Sequence, residues 1–151
     1  MIWLGFIVFL KETFIKTYTA DENTHLLFLL PGQSLSPRVF WDYPTEEGSH
    51  AQWLFSQGID VVLFDPVGYG NSKSFYPYDR VDYARQILEA AETLPQKYNT
   101  KTIFGFSTST APALIASQQY FNKVITHPAS VTLRDAKNSS SAGRFMWSRY
   151  F

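Results

Sequence analysis

Four segments of the chain are almost continuously apolar, and stretches with helical spacing lie between them. In residues 25–32, HLLFLLPG, apolar side chains fill nearly every position until Pro31 and Gly32 end the run. Unbroken rather than alternating hydrophobicity is typical of a strand covered on both faces, as in a parallel sheet. The same signature recurs at residues 60–65, 101–106 and 123–127. We therefore predict four strands of a largely parallel sheet.

The first twenty residues predict two more strands. Residues 1–10, MIWLGFIVFL, form an apolar run that stops at Lys11. This run is too short to span a bilayer, which takes about 20 residues, and no basic residue precedes it as in a secretory leader. We predict a buried strand there, with an anchor or a truncated leader as the alternative. Residues 12–19 roughly alternate and are rich in β-branched and aromatic side chains, which favours a strand.

Segments with helical periodicity fill the intervals between the later strands. Residues 49–58 end in a glycine, a typical helix stop, and residues 80–94 repeat apolar side chains at helical spacing. Residues 108–121 predict a third helix, in which Pro112 fits only within the first turn. Alternating strands and helices predict an α/β fold, a mostly parallel sheet with helices on both faces.

Composition and charge narrow the possible functions. A chain of 151 residues with 45% hydrophobic side chains is expected to bury one core. Thirteen basic and thirteen acidic residues, without a block of one sign, argue against a nucleic-acid partner. The absence of cysteine excludes disulfides, thiolate metal sites and a cysteine nucleophile. The three histidines are far apart in sequence, so no metal site is indicated and no cofactor is expected.

Residues 103–117, IFGFSTSTAPALIAS, pass from an apolar strand through a serine into a helix of small residues. A sharp strand-to-helix turn of this kind raises a serine hydroxyl above the carboxyl edge of the sheet. It requires small residues two positions to either side, and Gly105 and Ser109 occupy those positions around Ser107. The helix that follows directs the positive end of its dipole toward any anion formed there. The pattern predicts a nucleophilic serine at position 107.

Two further segments accompany the serine turn. Residues 26–34, LLFLLPGQS, end a buried strand in a tight turn, and residues 61–74, VVLFDPVGYGNSKS, follow another strand with an aspartate and two glycines. Taken together, the three motifs resemble the α/β-hydrolase family, which has a D-x-x-G-x-G-x-S strand end and a serine elbow in this order. The resemblance covers about residues 12–127, the N-terminal part of the family pattern through the elbow. The sequence departs from that pattern at Pro31, where histidine is usual, and at Ser109, where glycine is usual.

The resemblance implies an esterase- or lipase-like serine hydrolase that acts on a small acyl-ester substrate. Ser107 would be the nucleophile, and the backbone N–H groups of Gln33 and Thr108 would form the oxyanion hole. The aromatic segments 37–44 and 74–79 would then flank an apolar pocket, with plain surface packing as the alternative. Asp65 matches the structural aspartate of the turn and not the triad acid.

The other two members of a catalytic triad are not identified by the sequence. In the family, the acid and the histidine follow the serine in chain order, and no histidine follows His127. His127 is a candidate local base because it ends a predicted strand on the active-site side of the sheet. Asp135 is a candidate acid, because some family members place the acid after this strand. His25 and His50 are poor candidates, because His25 opens a strand at the opposite edge of the sheet and His50 lies before a helix.

The sequence predicts an incomplete α/β-hydrolase-like domain at residues 1–136 and an atypical tail at residues 137–151. The tail would be the start of a lid or an ending foreign to the family, and truncation of a larger hydrolase would explain the missing triad members. A sheet cut after its fifth or sixth strand leaves an open edge, which is a candidate surface for self-association. No membrane partner is expected, and we predict a cytoplasmic location.

Two other functions remain open at this point. The chain would be a non-catalytic scaffold or a remnant if the triad acid and histidine are truly missing. A nucleotide-binding domain is the other alternative, because residues 68–72, GYGNS, superficially match a glycine-rich phosphate loop. That alternative lacks a third glycine, a helix directly after the loop and any G-K-[ST] motif.

Overall fold

The strands form one sheet of mixed direction. The computed structural model describes residues 7–10, 13–32, 41–65 and 79–127. Its strands are β1 (Ile7–Leu10), β2 (Thr13–Tyr18), β3 (His25–Leu30), β4 (Ile59–Asp65), β5 (Thr100–Phe106) and β6 (Lys123–His127). They are ordered β1-β2-β4-β3-β5-β6. Strands β3 to β6 are parallel, whereas β2 is antiparallel to both β1 and β4. The predicted mostly parallel sheet is confirmed.

Within the described ranges, three helices connect the strands, and two of them begin at side-chain caps. The helices are α1 (His50–Ser56), α2 (Arg80–Glu92) and α3 (Thr110–Ala116). Ser49 caps α1 in a reciprocal capping box with Gln52, in which each side chain bonds the other residue's backbone N–H. Asp79 caps α2 by accepting hydrogen bonds from two backbone N–H groups of the first turn. These caps explain why both helices start where polar side chains precede an apolar periodicity.

The two faces of the sheet are both covered, because the central strands are apolar at odd and even positions alike. Phe28, Leu30 and Phe64 point to the face covered by α2 and α3 and are fully buried. Leu29 and Leu63 point to the opposite face, which α1 covers. Successive residues of a strand face opposite sides, so a continuous apolar run fills two cores at once. The prediction of helices on both faces is confirmed.

The helix after the serine is shorter than its sequence pattern indicates. The prediction extended it over residues 108–121, but α3 starts at Thr110, after a 3₁₀ turn at Ser107–Ser109, and ends at Ala116. Residues 117–120 form a turn that returns the chain to the sheet. This turn places the Phe121 ring edge-on against Phe28, with 5.1 Å between ring centroids. Packing of that ring into the core replaces the last turn of the predicted helix.

Strand β6 differs from the expectation of a strand buried on both faces. Four of its five residues are exposed, and Ile125 is 50% exposed. The reason is its position at the edge of the sheet, where within the described ranges only β5 pairs with it. The apolar run at residues 123–127 therefore predicted the strand correctly, but the prediction that both of its faces are buried is wrong.

Several predictions concern residues outside the described ranges. These are residues 1–6 of the strand predicted at 1–10, the glycine turn at 68–72, and the boundary between residues 1–136 and 137–151. Within the described part of the chain, none of the helices is long and apolar enough to cross a membrane.

Candidate functional site

The turn from β5 into α3 holds Ser107 in a left-handed backbone conformation. Its φ is +55°, and among the described residues it is the only non-glycine residue with a positive φ. Such a conformation brings the Cβ close to the following carbonyl oxygen and costs about 1–2 kcal/mol for an L-residue. Strain of this kind is retained where the surrounding structure enforces it, and it concentrates at functional sites.

Gly105 allows the strand and the helix to approach closely enough to enforce this turn. A Cβ placed on Gly105 would lie 2.7 Å from the Ser109 carbonyl oxygen and 2.7 Å from the Ala113 Cβ. Real Cβ atoms do not come this close to such neighbours, so only glycine fits here. The small residue expected two positions before the serine is thus required by direct contact with the next helix.

The turn at the end of β3 lies directly beside the serine. Leu30 pairs with Gly105 in the parallel register of β3 and β5, so the two strands end side by side. A Cβ placed on Gly32 would lie 3.3 Å from the Ser107 Cβ and 3.1 Å from the Phe106 ring. The loop predicted to supply an oxyanion donor therefore begins next to the serine.

Of the two predicted oxyanion donors, one lies within the described residues and the other lies outside them. Thr108 follows Ser107 in the 3₁₀ turn and is half-buried. Gln33 comes directly after Gly32 but lies outside the described residues, as does Asp135. The roles of these residues as oxyanion donors and triad acid stay predictions.

Ser109 connects the elbow to the end of β3 and to α2. Its side chain is buried, and its hydroxyl donates a hydrogen bond to the carbonyl oxygen of Pro31. The Tyr83 hydroxyl lies 3.4 Å from the Ser109 hydroxyl oxygen. Sequence reasoning assigned Ser109 only a steric role, because a partner 78 residues away leaves no local signal.

Aromatic rings cover the sheet face next to the elbow. Trp41 packs edge-on against Phe104 and Phe106, at centroid distances of 5.1 and 6.5 Å. His127 packs against the same Phe106 ring, at 4.9 Å. Trp41 belongs to the predicted aromatic segment 37–44. The described part of that segment therefore packs against Phe106, the residue just before Ser107.

A buried carboxylate fixes the segment that carries Trp41. Asp42 accepts hydrogen bonds from the Lys16 ammonium, from the Tyr18 hydroxyl at 2.6 Å and from the Ser49 hydroxyl at 2.8 Å. Burial lowers the pKa of Lys16, but its hydrogen bonds to Asp42 and Tyr18 outweigh this and raise the pKa overall. Burial and the bond to Asp42 raise the pKa of Tyr18. These contacts join β2, the Trp41 segment and the start of α1, and sequence reasoning did not identify them.

The histidines are placed differently with respect to Ser107. His127 ends β6 opposite Phe106, is exposed, and accepts a hydrogen bond from the Thr110 hydroxyl through its carbonyl oxygen, at 3.3 Å. No hydrogen bond joins the His127 ring to Ser107, both of which lie in the described ranges. His25 starts β3 at the other end of the sheet, and His50 starts α1 with its ring toward Trp41. The base role of His127 stays a prediction.

The structure also places Asp65 and shows whether acidic and histidine side chains are grouped. Asp65 is the last residue of β4 and fully buried, as expected of a structural aspartate. Within the described residues, no three His, Asp or Glu side chains are grouped as metal ligands.

Comparison with solved structures identifies the fold. The chain is similar to a predicted CIB-like hydrolase from Thermoplasma acidophilum, at 19% identity and a TM-score of 0.64, covering 83% of this chain and 62% of that one. It is similar to an esterase from Exiguobacterium antarcticum, at 22% identity and a TM-score of 0.62, covering 85% and 46%. A dienelactone hydrolase from Anabaena variabilis gives 18% identity, a TM-score of 0.60, and coverage of 83% and 62%.

These likenesses define the class of the protein at the level of its fold. The chain has the α/β-hydrolase fold, as the resemblance of its motifs implied. It spans between 46% and 62% of the length of the three structures named above. No family sequence model matches the chain, and no curated protein does so either.

Proposed function

We propose that this chain carries the nucleophile and oxyanion half of an esterase-like serine hydrolase. The Ser107 oxygen attacks the carbonyl carbon of an acyl ester, the ester C–O bond breaks, and the alcohol leaves with a proton. Water then hydrolyses the acyl–serine bond and regenerates the hydroxyl. The backbone N–H groups of Gln33 and Thr108 stabilise the oxyanion formed in each step.

The backbone at Ser107 is the observation that carries this proposal. A φ of +55° at a serine between strand and helix is costly, and a simple connection between these elements would not need it. Gly105 leaves no room for a side chain against α3, and Gly32 leaves little room beside Ser107. Both glycines therefore fit the close approach of strand, turn and helix at Ser107. Three independent positions thus support a nucleophile elbow.

The aromatic rings beside Ser107 support an apolar acyl group in the preferred substrate. Trp41 and Phe106 form an aromatic surface at the carboxyl end of β5. Such a surface favours alkyl and aryl groups over charged ones, since burial of apolar area contributes roughly 25 cal/mol per Å².

The base that accepts the serine proton is the open part of the proposal. We propose His127 as a local base and Asp135 as its acid. The alternative is a hydrolase-like scaffold without catalysis, which is supported by the lack of a hydrogen bond between Ser107 and His127 in the described ranges. Loss of the base from a serine triad reduces kcat by about a million-fold, so the two alternatives differ greatly in rate.

A nucleophile-directed probe tests the proposal. Purified chain is incubated with a fluorophosphonate, and the adduct is located by peptide mass spectrometry, in wild type, Ser107→Ala and Ser117→Ala. Ser117 lies just after α3, and its hydroxyl bonds the Leu114 carbonyl oxygen, so its removal is a matched control. We expect one adduct on Ser107 in the wild type and in Ser117→Ala, and none in Ser107→Ala.

The outcomes separate enzyme from scaffold. Folded wild-type chain that is not labelled would support the scaffold, as would labelling that survives in Ser107→Ala. If labelling succeeds, the rate measured with His127→Gln tests the base. A fall of about 100-fold or more is expected of a general base, and an unchanged rate would show that His127 is not the base.

A further inference from the structure

We propose that Ser109 is a positioning residue that holds the oxyanion turn against the nucleophile elbow. The inference rests on the proposed function and deepens it, because it assigns a chemical role to the position where this sequence departs from the G-x-S-x-G pattern. Ser109 itself does not touch the reacting atoms. It acts through Pro31, the residue just before Gly32.

The hydrogen bonds around Ser109 form a directed chain. The hydroxyl of Ser109 has one hydrogen, and the carbonyl oxygen of Pro31 accepts it. The Tyr83 hydroxyl lies 3.4 Å from the Ser109 oxygen, and because the Ser109 hydrogen is directed to Pro31, Tyr83 is the group that can donate between these two hydroxyls. Both side chains are buried, at 2% and 3% exposure, so water does not replace these bonds. A buried chain of this kind strengthens each of its members.

Ser109 lies between the turn that carries Ser107 and the turn that begins at Pro31, and it is held to both. Its own carbonyl oxygen is held against Gly105, which fixes it to the elbow. Its hydroxyl holds Pro31, whose neighbour Gly32 lies beside Ser107, with little room for a side chain between them. The next residue along the chain is Gln33, the predicted oxyanion donor. A shift of Pro31 would therefore move Gly32, the residue that precedes the predicted donor, relative to Ser107.

Tyr83 supports this arrangement from the helix side. Its ring stacks on Phe64 with an interplanar angle of 16° and a centroid distance of 5.9 Å. Because Phe64 is fully buried, the phenol is held at a fixed height above the sheet. Glycine at position 109, as in the usual pattern, would leave both the phenol and the Pro31 carbonyl without this hydroxyl between them.

The test compares Ser109→Ala, Ser109→Gly and Tyr83→Phe with the control Ser117→Ala, which also removes one hydroxyl-to-carbonyl bond. Fluorophosphonate labelling is followed over a range of probe concentrations, and deuterium exchange is followed in peptides that cover residues 28–36. We expect the maximal labelling rate to fall about 10-fold or more in both Ser109 variants, since small displacements of catalytic groups are costly. The half-saturating probe concentration should stay unchanged. Exchange at Gly32 should become faster.

Tyr83→Phe should give a smaller loss, because Ser109 can still bond Pro31, and Ser117→Ala should match the wild type. The inference is overturned if folded Ser109→Ala and Ser109→Gly keep both the wild-type labelling rate and the wild-type exchange. If the wild type is not labelled at all, the proposed function fails. The exchange measurement then still decides the structural tie, and unchanged exchange would reject it. If neither Ser109 variant folds, Ser109→Cys replaces them, because a thiol is only a weak donor to the Pro31 carbonyl oxygen, and an unchanged maximal rate with unchanged exchange in that variant would overturn the inference.

Discussion

At the end of the sheet where the parallel strands begin, the fully buried Asp60 carboxylate is surrounded by donors. It accepts hydrogen bonds from the Ala20 N–H at 3.0 Å, the Asn23 amide at 2.8 Å and the Tyr98 hydroxyl at 2.8 Å. The Lys97 ammonium lies 3.1 Å away. At the opposite end, Ser107 occupies a strained conformation, and no hydrogen bond joins its side chain to another described side chain.

The two ends therefore differ in energy: the polar groups around Asp60 are paired in the interior, whereas the backbone at Ser107 is strained. A buried charge is tolerated when every oxygen is paired, and the paired groups then tie loops together. A residue held at a positive φ lowers the stability of the fold, and strain of this kind concentrates at functional sites. We therefore expect substitutions at the Asp60 end to change stability without changing reactivity, and substitutions at the elbow to change reactivity in every case.

The largest loss of stability is expected for Asp60→Ala. This change leaves the partners Tyr98, Asn23 and Lys97 without their acceptor, which should cost about 3–5 kcal/mol in the free energy of unfolding. Asp60→Asn, which retains the shape and one acceptor, should cost less. Urea denaturation measures both. A loss below 1 kcal/mol for Asp60→Ala would contradict the account, as would a lower labelling rate per folded molecule.

A somewhat smaller loss is expected for Gly105→Ala at the elbow. The new methyl group would meet the Ser109 carbonyl oxygen and the Ala113 Cβ, so overpacking should cost about 3 kcal/mol. Labelling of Ser107 should also fall. In a double-mutant cycle, Ala113→Gly should cost less in the Gly105→Ala background than in the wild type. Simple additivity would show that the two positions are not in contact.

A more modest effect is expected at alkaline pH. Burial and the hydrogen bond to Asp60 raise the pKa of Tyr98 above its ordinary value of 10.0. The unfolded chain therefore loses this proton first, so stability is complete below pH 10 and falls as the pH rises, by up to about 1.4 kcal/mol per pH unit. Tyr98→Phe should flatten the fall, whereas Tyr43→Phe, at a 60% exposed ring, should not. Equal curves for both variants and the wild type would contradict the assignment.

The sequence predicted the parts of this protein that depend on local pattern. The run at residues 25–32 has apolar side chains at consecutive positions because β3 is buried on both faces, and that pattern is visible without a structure. Gly105 and Ser107 were likewise predictable, because a sharp strand-to-helix turn restricts residue size within five positions. Each of these predictions depends only on residues that are close together in the sequence.

The remaining features depend on contacts between distant residues. Ser109 bonds Pro31, and Asp42 bonds Lys16, across 78 and 26 positions. No periodicity records such pairs, so both were missed. The exposure of β6 was mispredicted because an apolar run indicates a strand but not its place in the sheet. Helix α3 was predicted too long because packing of Phe121 on Phe28 overrides the local pattern.

The most direct test of the central claim is the stability of Ser107→Gly. Glycine adopts a positive φ without strain, so this variant should be more stable than the wild type by about 1 kcal/mol while losing all labelling at position 107. Ser117→Gly, at a residue with ordinary helical φ, should be less stable by about 0.5–1 kcal/mol. Ser107→Gly that is as destabilising as Ser117→Gly would contradict the claim that the fold holds Ser107 in a costly conformation.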